Sequence, residues 1–333
     1  MDQVSRVNWG VLTHASGPRD SAAELSDTVR LAVLAEELGF GSFWIAQHHL
    51  GAQQGHASSP LVVLAAVAAR TGRIRLGTAV VVGPLEQPLR LAEDAATVDA
   101  LSGGRLELGV GAGSDAGAAD AFGVRPEERH ARLAEVLDVL VRADVVPSVR
   151  GLRGRTWLAT SSEDGVAVAA ARGLGLLSGR RSGPSGPDDV RSARLLARFR
   201  ALGGRRVGLS RPVVPGASRV AVHDLLAPHV ARWGRDPAAH LRAGNVYAGT
   251  EQEVAAGLAA DPCLPYATDL LCHVQPARLP FAELEPVVRR TAALADRVPP
   301  VPAGPARDRR AGPAGGGPAG QPGSGTSRRA EPS

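Results

Sequence analysis

Two adjacent histidines, His48 and His49, follow the apolar run Phe43-Trp44-Ile45-Ala46 with only Gln47 between. A short apolar run that stops at polar residues reads as a buried strand. The C-terminal ends of parallel strands are where α/β proteins bind ligands. An imidazole placed there exchanges protons near neutral pH; the same ring could also simply fix its loop by hydrogen bonds. No metal site is expected, because neighbouring side chains on an extended segment point to opposite sides and no third ligand is evident. Downstream, Gly109, Gly111 and Gly113 form GVGAGS. A dinucleotide fingerprint would need glycine where Ser114 stands, and tight strand-to-helix turns use glycine regardless. A third polar cluster runs Thr160-Ser161-Ser162-Glu163-Asp164-Gly165. Hydroxyls and free amides at a helix N-terminus seat phosphates, and simple N-capping by Ser162 accounts for the same residues.

These groups need strands and helices to position them. Arg73–Gly123 reads as strand, loop, helix, Gly-Gly stop, strand and Gly-rich loop. Strands are predicted at Val4–Leu12, Ser42–Ala46, Ile74–Val82, Arg105–Gly111, Thr156–Thr160, Leu174–Ser178, Arg205–Val213 and Thr268–Val274. The run Ile74–Val82 is nearly continuously apolar, as in strands covered on both faces. Between them helical patterns fall at Ser21–Leu38, Pro60–Ala69, Pro88–Leu101, Pro126–Ala143, Glu163–Arg172, Asp188–Leu202, Asp224–Trp233, Thr250–Ala260 and Phe281–Arg297. Ser21 with Glu24 reads as a capping box, Pro60 as a first helical residue, and Gly39 and Gly103-Gly104 as helix stops. Gly179–Pro187 is a turn-rich loop. Eight strands alternating with helices predict an α/β fold, a single-domain (β/α)8 TIM-type barrel over residues 1–298. Residues 299–333 are rich in Pro, Gly and Arg without periodicity and are expected to be a disordered tail.

Composition narrows the function. The chain has 333 residues, 44% hydrophobic but only 3% aromatic, so Ala, Val and Leu must fill the core. All 38 basic residues are arginine. The net charge of +5 is concentrated in the tail, where Arg307, Arg309, Arg310, Arg328 and Arg329 outnumber Asp308 and Glu331. A nearly neutral body argues against a nucleic-acid partner. Only Cys263 and Cys272 occur, too few for a disulfide framework or a zinc site. Neither a signal core nor an uninterrupted apolar span is present, so a soluble cytoplasmic protein without a membrane partner is expected. G-x-S-x-G, the P-loop and H-E-x-x-H are all missing. Glu93 and Asp94 fall mid-helix and read as surface residues; Trp9, Trp44, Trp157 and Trp233 read as core fillers.

Several motifs in order resemble the bacterial luciferase-like flavin monooxygenase superfamily: FWIAQHH (Phe43–His49), RLGTAVVV (Arg75–Val82), P-L-R-x-A-E-D (Pro88–Asp94), LSGGRLELGVG (Leu101–Gly111), FGV (Phe122–Val124), WLATSSEDGVAVAAARGLGLL (Trp157–Leu177) and LSRPVV (Leu209–Val214). The likeness covers roughly residues 1–300 and is densest over the first 180. It implies a TIM-type barrel that holds a flavin at its strand ends. Reduced FMN from a separate flavin reductase would react with O2 to oxidise a small-molecule substrate, in a homodimer paired through barrel helices. By the same likeness His48 is the general base or acid. Backbone at Ala79, Val80, Gly111, Ala112, Gly113 and Ser114 lines the ring and ribityl chain, and Ser161, Ser162 and the Gly165 amide receive the phosphate. The family often has a cis peptide where Ala79-Val80 stands; sequence leaves its isomer open.

The chain departs from the family in three places. Gln47 replaces the usual glutamate before the histidines. Ala112 replaces an arginine that helps hold the flavin phosphate, a charge-assisted bond worth roughly 1.5–3 kcal/mol. The stretch from Val124 to Trp157 is shorter than the lid-building segment of the family. These departures keep open an F420-dependent hydride-transfer oxidoreductase of the same fold and a non-catalytic flavin-binding paralogue.

Overall fold

A computed structural model describes residues 4–17, 19–51, 55–179, 182–183, 186–232, 236–243 and 245–302. Eight strands form its centre: β1 (Asn8–Thr13), β2 (Ser42–Ile45), β3 (Arg75–Thr78), β4 (Leu106–Gly111), β5 (Thr156–Ala159), β6 (Gly175–Gly179), β7 (Val207–Pro215) and β8 (Asp269–His273). Each pairs in parallel with the next, and β8 returns to pair with β1, Leu271 opposite Gly10 and His273 opposite Leu12. The sheet is therefore closed, and the expected barrel is found with its eight strands where the apolar runs placed them.

The helices alternate with the strands: α1 (Ser21–Glu37), α2 (Pro60–Ala68), α3 (Pro88–Leu101), α4 (Ala116–Ala121), α5 (Arg129–Arg142), α6 (Glu163–Ala171), α7 (Asp189–Ala201), α8 (Arg219–Ala231), α9 (Pro237–Ala243), α10 (Glu251–Ala259) and α11 (Phe281–Ala292). Their apolar faces and the outer face of the sheet share one core, in which Leu64, Leu76, Ala92, Leu108 and Val136 are almost fully buried. Burial of a leucine or valine side chain contributes roughly 1.5–3 kcal/mol, so many small aliphatic side chains do the work that aromatic residues do elsewhere.

The barrel interior is a separate cluster of Leu12, Trp44, Trp157, Leu177 and Leu271. The two indoles meet edge to face at 5.7 Å. They fit because glycines stand opposite them: a Cβ on Gly77 would lie 2.1 Å from the Trp44 ring, and one on Gly175 would lie 2.2 Å from Trp157. Trp44 Nε1 donates to Ser42 and Trp157 Nε1 donates to Glu107. These side chains fill the interior below the strand ends. Trp9, Trp44 and Trp157 are core residues as expected; Trp233 lies outside the described residues.

Several boundaries differ from the sequence reading. Asp20, not Ser21, caps α1, accepting from the Ala23 amide. Ser21 instead bonds His56, and Glu24 turns back to the Arg19 amide. The third apolar run is divided into β3 and Val81–Val82, which pairs beside Val110–Gly111; the Ala79–Val80 peptide between them is cis. Pro126–Glu128 is a 3-10 turn and α5 begins at Arg129. Ser218 caps α8, which therefore starts before the expected Asp224. The last helix gives way to a 3-10 turn over Ala293–Asp296. The short α4, α9 and the strand Tyr247–Gly249, which extends β7 outside the barrel, were not anticipated. Within the turn-rich loop, Ser182–Gly183 pairs with Gly186–Pro187. Val301–Pro302, beyond the expected domain end, pairs antiparallel with Val4–Ser5. Residues 303–333, the bulk of the expected disordered tail, lie outside the described residues.

Candidate active site

The C-terminal ends of β1 to β4 surround a cleft of about 190 Å³. β1 delivers His14, and β2 delivers Gln47, His48 and His49. The turn after β3 supplies an apolar side with Ala79, Val80 and Val82; the turn after β4 supplies Ala112, Gly113, Ser114 and Asp115. Gly113 is left-handed at φ +67°, and a Cβ there would meet Val82 at 2.5 Å. Only glycine lets the β4 turn lie so close to the β3 turn.

Gln47 ties the second and third of these segments together. Its side-chain oxygen accepts from the Val82 amide at 2.6 Å, and its backbone amide donates to Val80. Its Nε2 donates to Ser58 O and to Glu86 Oε1, at 3.0 and 2.8 Å. A glutamate at 47 would lose both donor bonds and set its charge against Glu86. The glutamine that departs from the family pattern thus matches its own surroundings.

His48 lies beneath Gly55, whose added Cβ would strike the ring at 2.5 Å. Its Nε2 is 2.8 Å from His14 Nδ1. The two rings stack at 5.0 Å, and His14 in turn lies 4.5 Å from the ring of His273 at the end of β8. Three imidazoles from three adjacent strands thus form a column. His49 diverges, packing edge-on against Phe122 at 4.7 Å with its buried Nε2 unpartnered.

Burial, helped by Arg278, holds His48 below the ordinary histidine pKa, against a small opposing pull from Asp115. Burial and the neighbouring His273 and His48 push His14 well below it. Burial lowers His273 to about 4, and its Nε2 has no hydrogen-bond partner. All three rings are therefore neutral at pH 7. An unfolded His273 takes up its proton near pH 6.5, a folded one only near 4. Its contribution to stability is intact above pH 6.5 and is lost as the pH falls toward 4, at a cost of about 3 kcal/mol. Denaturant titrations at pH 7.5 and 4.5 are expected to show a smaller difference in His273→Gln than in the parent. Equal differences in the two proteins would refute this.

Of the residues expected at a flavin site, His48, Ala79, Val80, Ala112, Gly113 and Ser114 all line one cleft. Gly111 lies just beneath it, where an added Cβ would meet Val80 at 2.9 Å. Ser161, Ser162 and Gly165 lie past the end of β5 and are not among the lining residues. There Ser162 Oγ accepts from the Gly165 amide at 3.1 Å, so the capping role is realised. His14 and Arg129 are among the lining residues that the sequence reading did not single out. His14 gives no local signal, being a lone histidine after a strand. Arg129, at the start of α5, donates to the carbonyls of Ala112 and Gly113. It brings a guanidinium to the turn where Ala112 lacks one. Asp115, the acid on the cleft, is engaged as the cap of α4. No group of three or more His, Cys, Asp or Glu side chains is arranged to hold a metal among the described residues, and no described helix is long and apolar enough to cross a membrane.

Residues 6–261 match the family model described as luciferase-like monooxygenase. The chain belongs to that family. Among relatives of this luciferase-like protein, the uncharacterised y4wF of Sinorhizobium fredii is 30% identical over 254 residues, 69% of this chain and 73% of the relative. The 4-hydroxyprotoasukamycin monooxygenase of Streptomyces nodosus subsp. asukaensis is 38% identical over 141 residues, 42% of this chain and 38% of that one. The F420-dependent glucose-6-phosphate dehydrogenase of Amycolatopsis mediterranei is 36% identical over 141 residues, 40% of each. The chain thus spans less than half the length of the two relatives with named activities. In structure, the FMN complex of the oxygenating constituent of 3,6-diketocamphane monooxygenase from Pseudomonas putida has the same fold. Its TM-score is 0.71 at 15% identity, over 90% of this chain and 99% of that one.

Proposed function

We propose that this luciferase-like protein is a flavin-dependent monooxygenase that uses reduced FMN and O2 to oxidise a small organic substrate. The observation that carries this reading is the cleft itself. A neutral His48 faces an apolar side made by Ala79, Val80 and Val82, and the turn beside it is almost free of side chains. Such a surface suits a flat heteroaromatic ring with a polar chain. Backbone at Ala79 and Val80 would hold the ring, that at Gly111, Ala112, Gly113 and Ser114 would hold the ribityl chain, and His48 would serve the ring edge. Ser161, Ser162 and the Gly165 amide would receive the phosphate, and Arg129 would supply the positive charge missing at Ala112. When bound, reduced FMN supplies the electrons that activate O2. The protein's own residues do the rest: Gln47 holds the β3 turn in place, the apolar wall excludes water, and His48 moves a proton at the edge of the ring.

Reduced FMN diffuses from a flavin reductase, a partner of the cytoplasm, where we place the enzyme. Homodimer pairing uses α2 and α3, which flank an apolar groove and expose Val62 and Leu101. A monomeric mass by light scattering would contradict that arrangement.

A stopped-flow experiment tests the chemistry. Protein loaded with FMNH2 under nitrogen is mixed with aerated buffer, and flavin reoxidation is followed. The expected course is distinct from that of free FMNH2. A course identical to free FMNH2, combined with hydride transfer from reduced F420, would move the protein to the F420-dependent reading. Retention of oxidised FMN without turnover of either kind would make it a non-catalytic paralogue.

A further inference from the structure

The bond between His14 Nδ1 and His48 Nε2, at 2.8 Å, imposes a count on the cleft. A neutral imidazole carries one N–H and one bare nitrogen. If the bridging proton sits on His48 Nε2, then His48 Nδ1 is bare and His14 must carry its proton on Nε2. If it sits on His14 Nδ1, the assignment is reversed. In either case the two outer nitrogens are one donor and one acceptor. The bridge engages one nitrogen of each ring, and both rings line the cleft.

We infer that His14 and His48 act as one acid–base unit: a proton accepted at one outer nitrogen is matched by a proton released at the other. The proton taken up comes from a substrate group or water in the cleft, and the proton released passes to water there. An N–H bond forms at His48 Nδ1, the bridging proton crosses from His48 Nε2 to His14 Nδ1, and the His14 Nε2–H bond breaks. No net charge is left on either ring, and no oxidant or reductant is needed. The pair is then left in its other tautomer, ready to carry a proton in the opposite direction. Its surroundings favour transfer over storage. His273 lies tilted behind His14, Arg278 raises the cost of any added positive charge, and His49 adds to that cost on the His48 side. Asp115 is the acid that acts against them. Two like charges on rings this close are mutually excluded, so the pair can hold one extra proton at most.

His14 is here a positioning and relay residue for His48, and its catalytic consequence rests on the flavin reading; the pair itself does not. The first arm therefore uses the protein without flavin. In ¹⁵N-histidine-labelled protein, a scalar coupling across the bridge is expected between His14 Nδ1 and His48 Nε2. Both bridging nitrogens should show shifts between the protonated and bare extremes, because the proton moves between them. Absence of the coupling, a single fixed tautomer, or two independent titrations would overturn the proposal.

The second arm is kinetic. His14→Asn keeps a hydrogen-bond acceptor for His48 but cannot pass a proton on. His14→Phe keeps the ring volume and removes both functions. Both variants are expected to lower turnover on the order of 10²-fold with little change in KM. Restoration of the rate in His14→Asn would reduce His14 to a prop and refute the relay. A bridge seen in the first arm without flavin binding would instead remove the flavin reading and leave the pair intact.

Discussion

His48→Ala is expected to lower turnover by 10² to 10⁴, the usual worth of a positioned general acid or base, while stability changes little. The ring stands at the mouth of the barrel rather than in its packed interior, and its hydrogen bond is to one other side chain, His14. Burial and Arg278 hold it below the ordinary histidine pKa, which favours the neutral ring at pH 7. Activity that depends on the neutral ring should be lost on acidification below the usual histidine range, and that acid limb should vanish from the residual rate of the variant. Steady-state rates and a denaturation curve together check this. Unchanged turnover in a folded His48→Ala protein would remove His48 from the chemistry.

The largest expected stability effect lies on the opposite side of the sheet. Arg211 points outward from β7, on the same face as Leu209 and Val213, and pairs with Asp261 where both side chains are wholly excluded from solvent. The Asp261 carboxylate also accepts from Tyr247 Oη and from the Cys263 amide, each at 2.8 Å. These bonds hold Asp261 ionised, and Asp261 in turn secures the charge on Arg211. Asp261→Ala leaves a guanidinium, a phenol and an amide without their acceptor in a dry environment. Breaking a buried pair from one side costs about 3–5 kcal/mol. Replacing both partners by apolar residues costs far less, since the desolvation of the charges is removed along with their attraction. Guanidinium chloride titrations should therefore find Asp261→Ala much less stable than the double replacement Arg211→Met with Asp261→Leu. Equal stabilities for the single and double variants would contradict this account of the pair.

The barrel was legible because each of its strands is a short apolar run bounded by turn residues, and because helices between them carry plain stops such as Gly39 and Gly103-Gly104. Boundaries failed where two residues competed for one role. Asp20 and Ser21 both suit an N-cap, and the choice fell to Asp20 because His56 from a distant loop engages Ser21. The helix α4 was invisible because six residues rich in alanine carry no periodic signal.

The site divides in the same way. His48 could be found from its position after a strand, and the turns at Ala79–Val80 and Gly111–Ser114 from the family motifs. His14 and His273 could not, because 259 positions separate residues that only barrel closure brings together. One signal was present: β8, β1 and β2 become neighbours once the sheet closes, and each ends in or just before a histidine. Arg129 was missed for a related reason. Its helix begins 18 residues after Gly111, and only the packing of α5 against the turn after β3 brings its guanidinium to the Ala112 carbonyl.

An anaerobic titration of ¹⁵N-histidine-labelled protein with reduced FMN, followed at the ring nitrogens of His48, decides whether the cleft takes the flavin beside that ring. Saturable binding at micromolar concentrations is expected to shift the His48 signals while those of His229, on α8, stay in place. Reduced FMN that leaves His48 unmoved up to millimolar concentration would contradict the flavin reading.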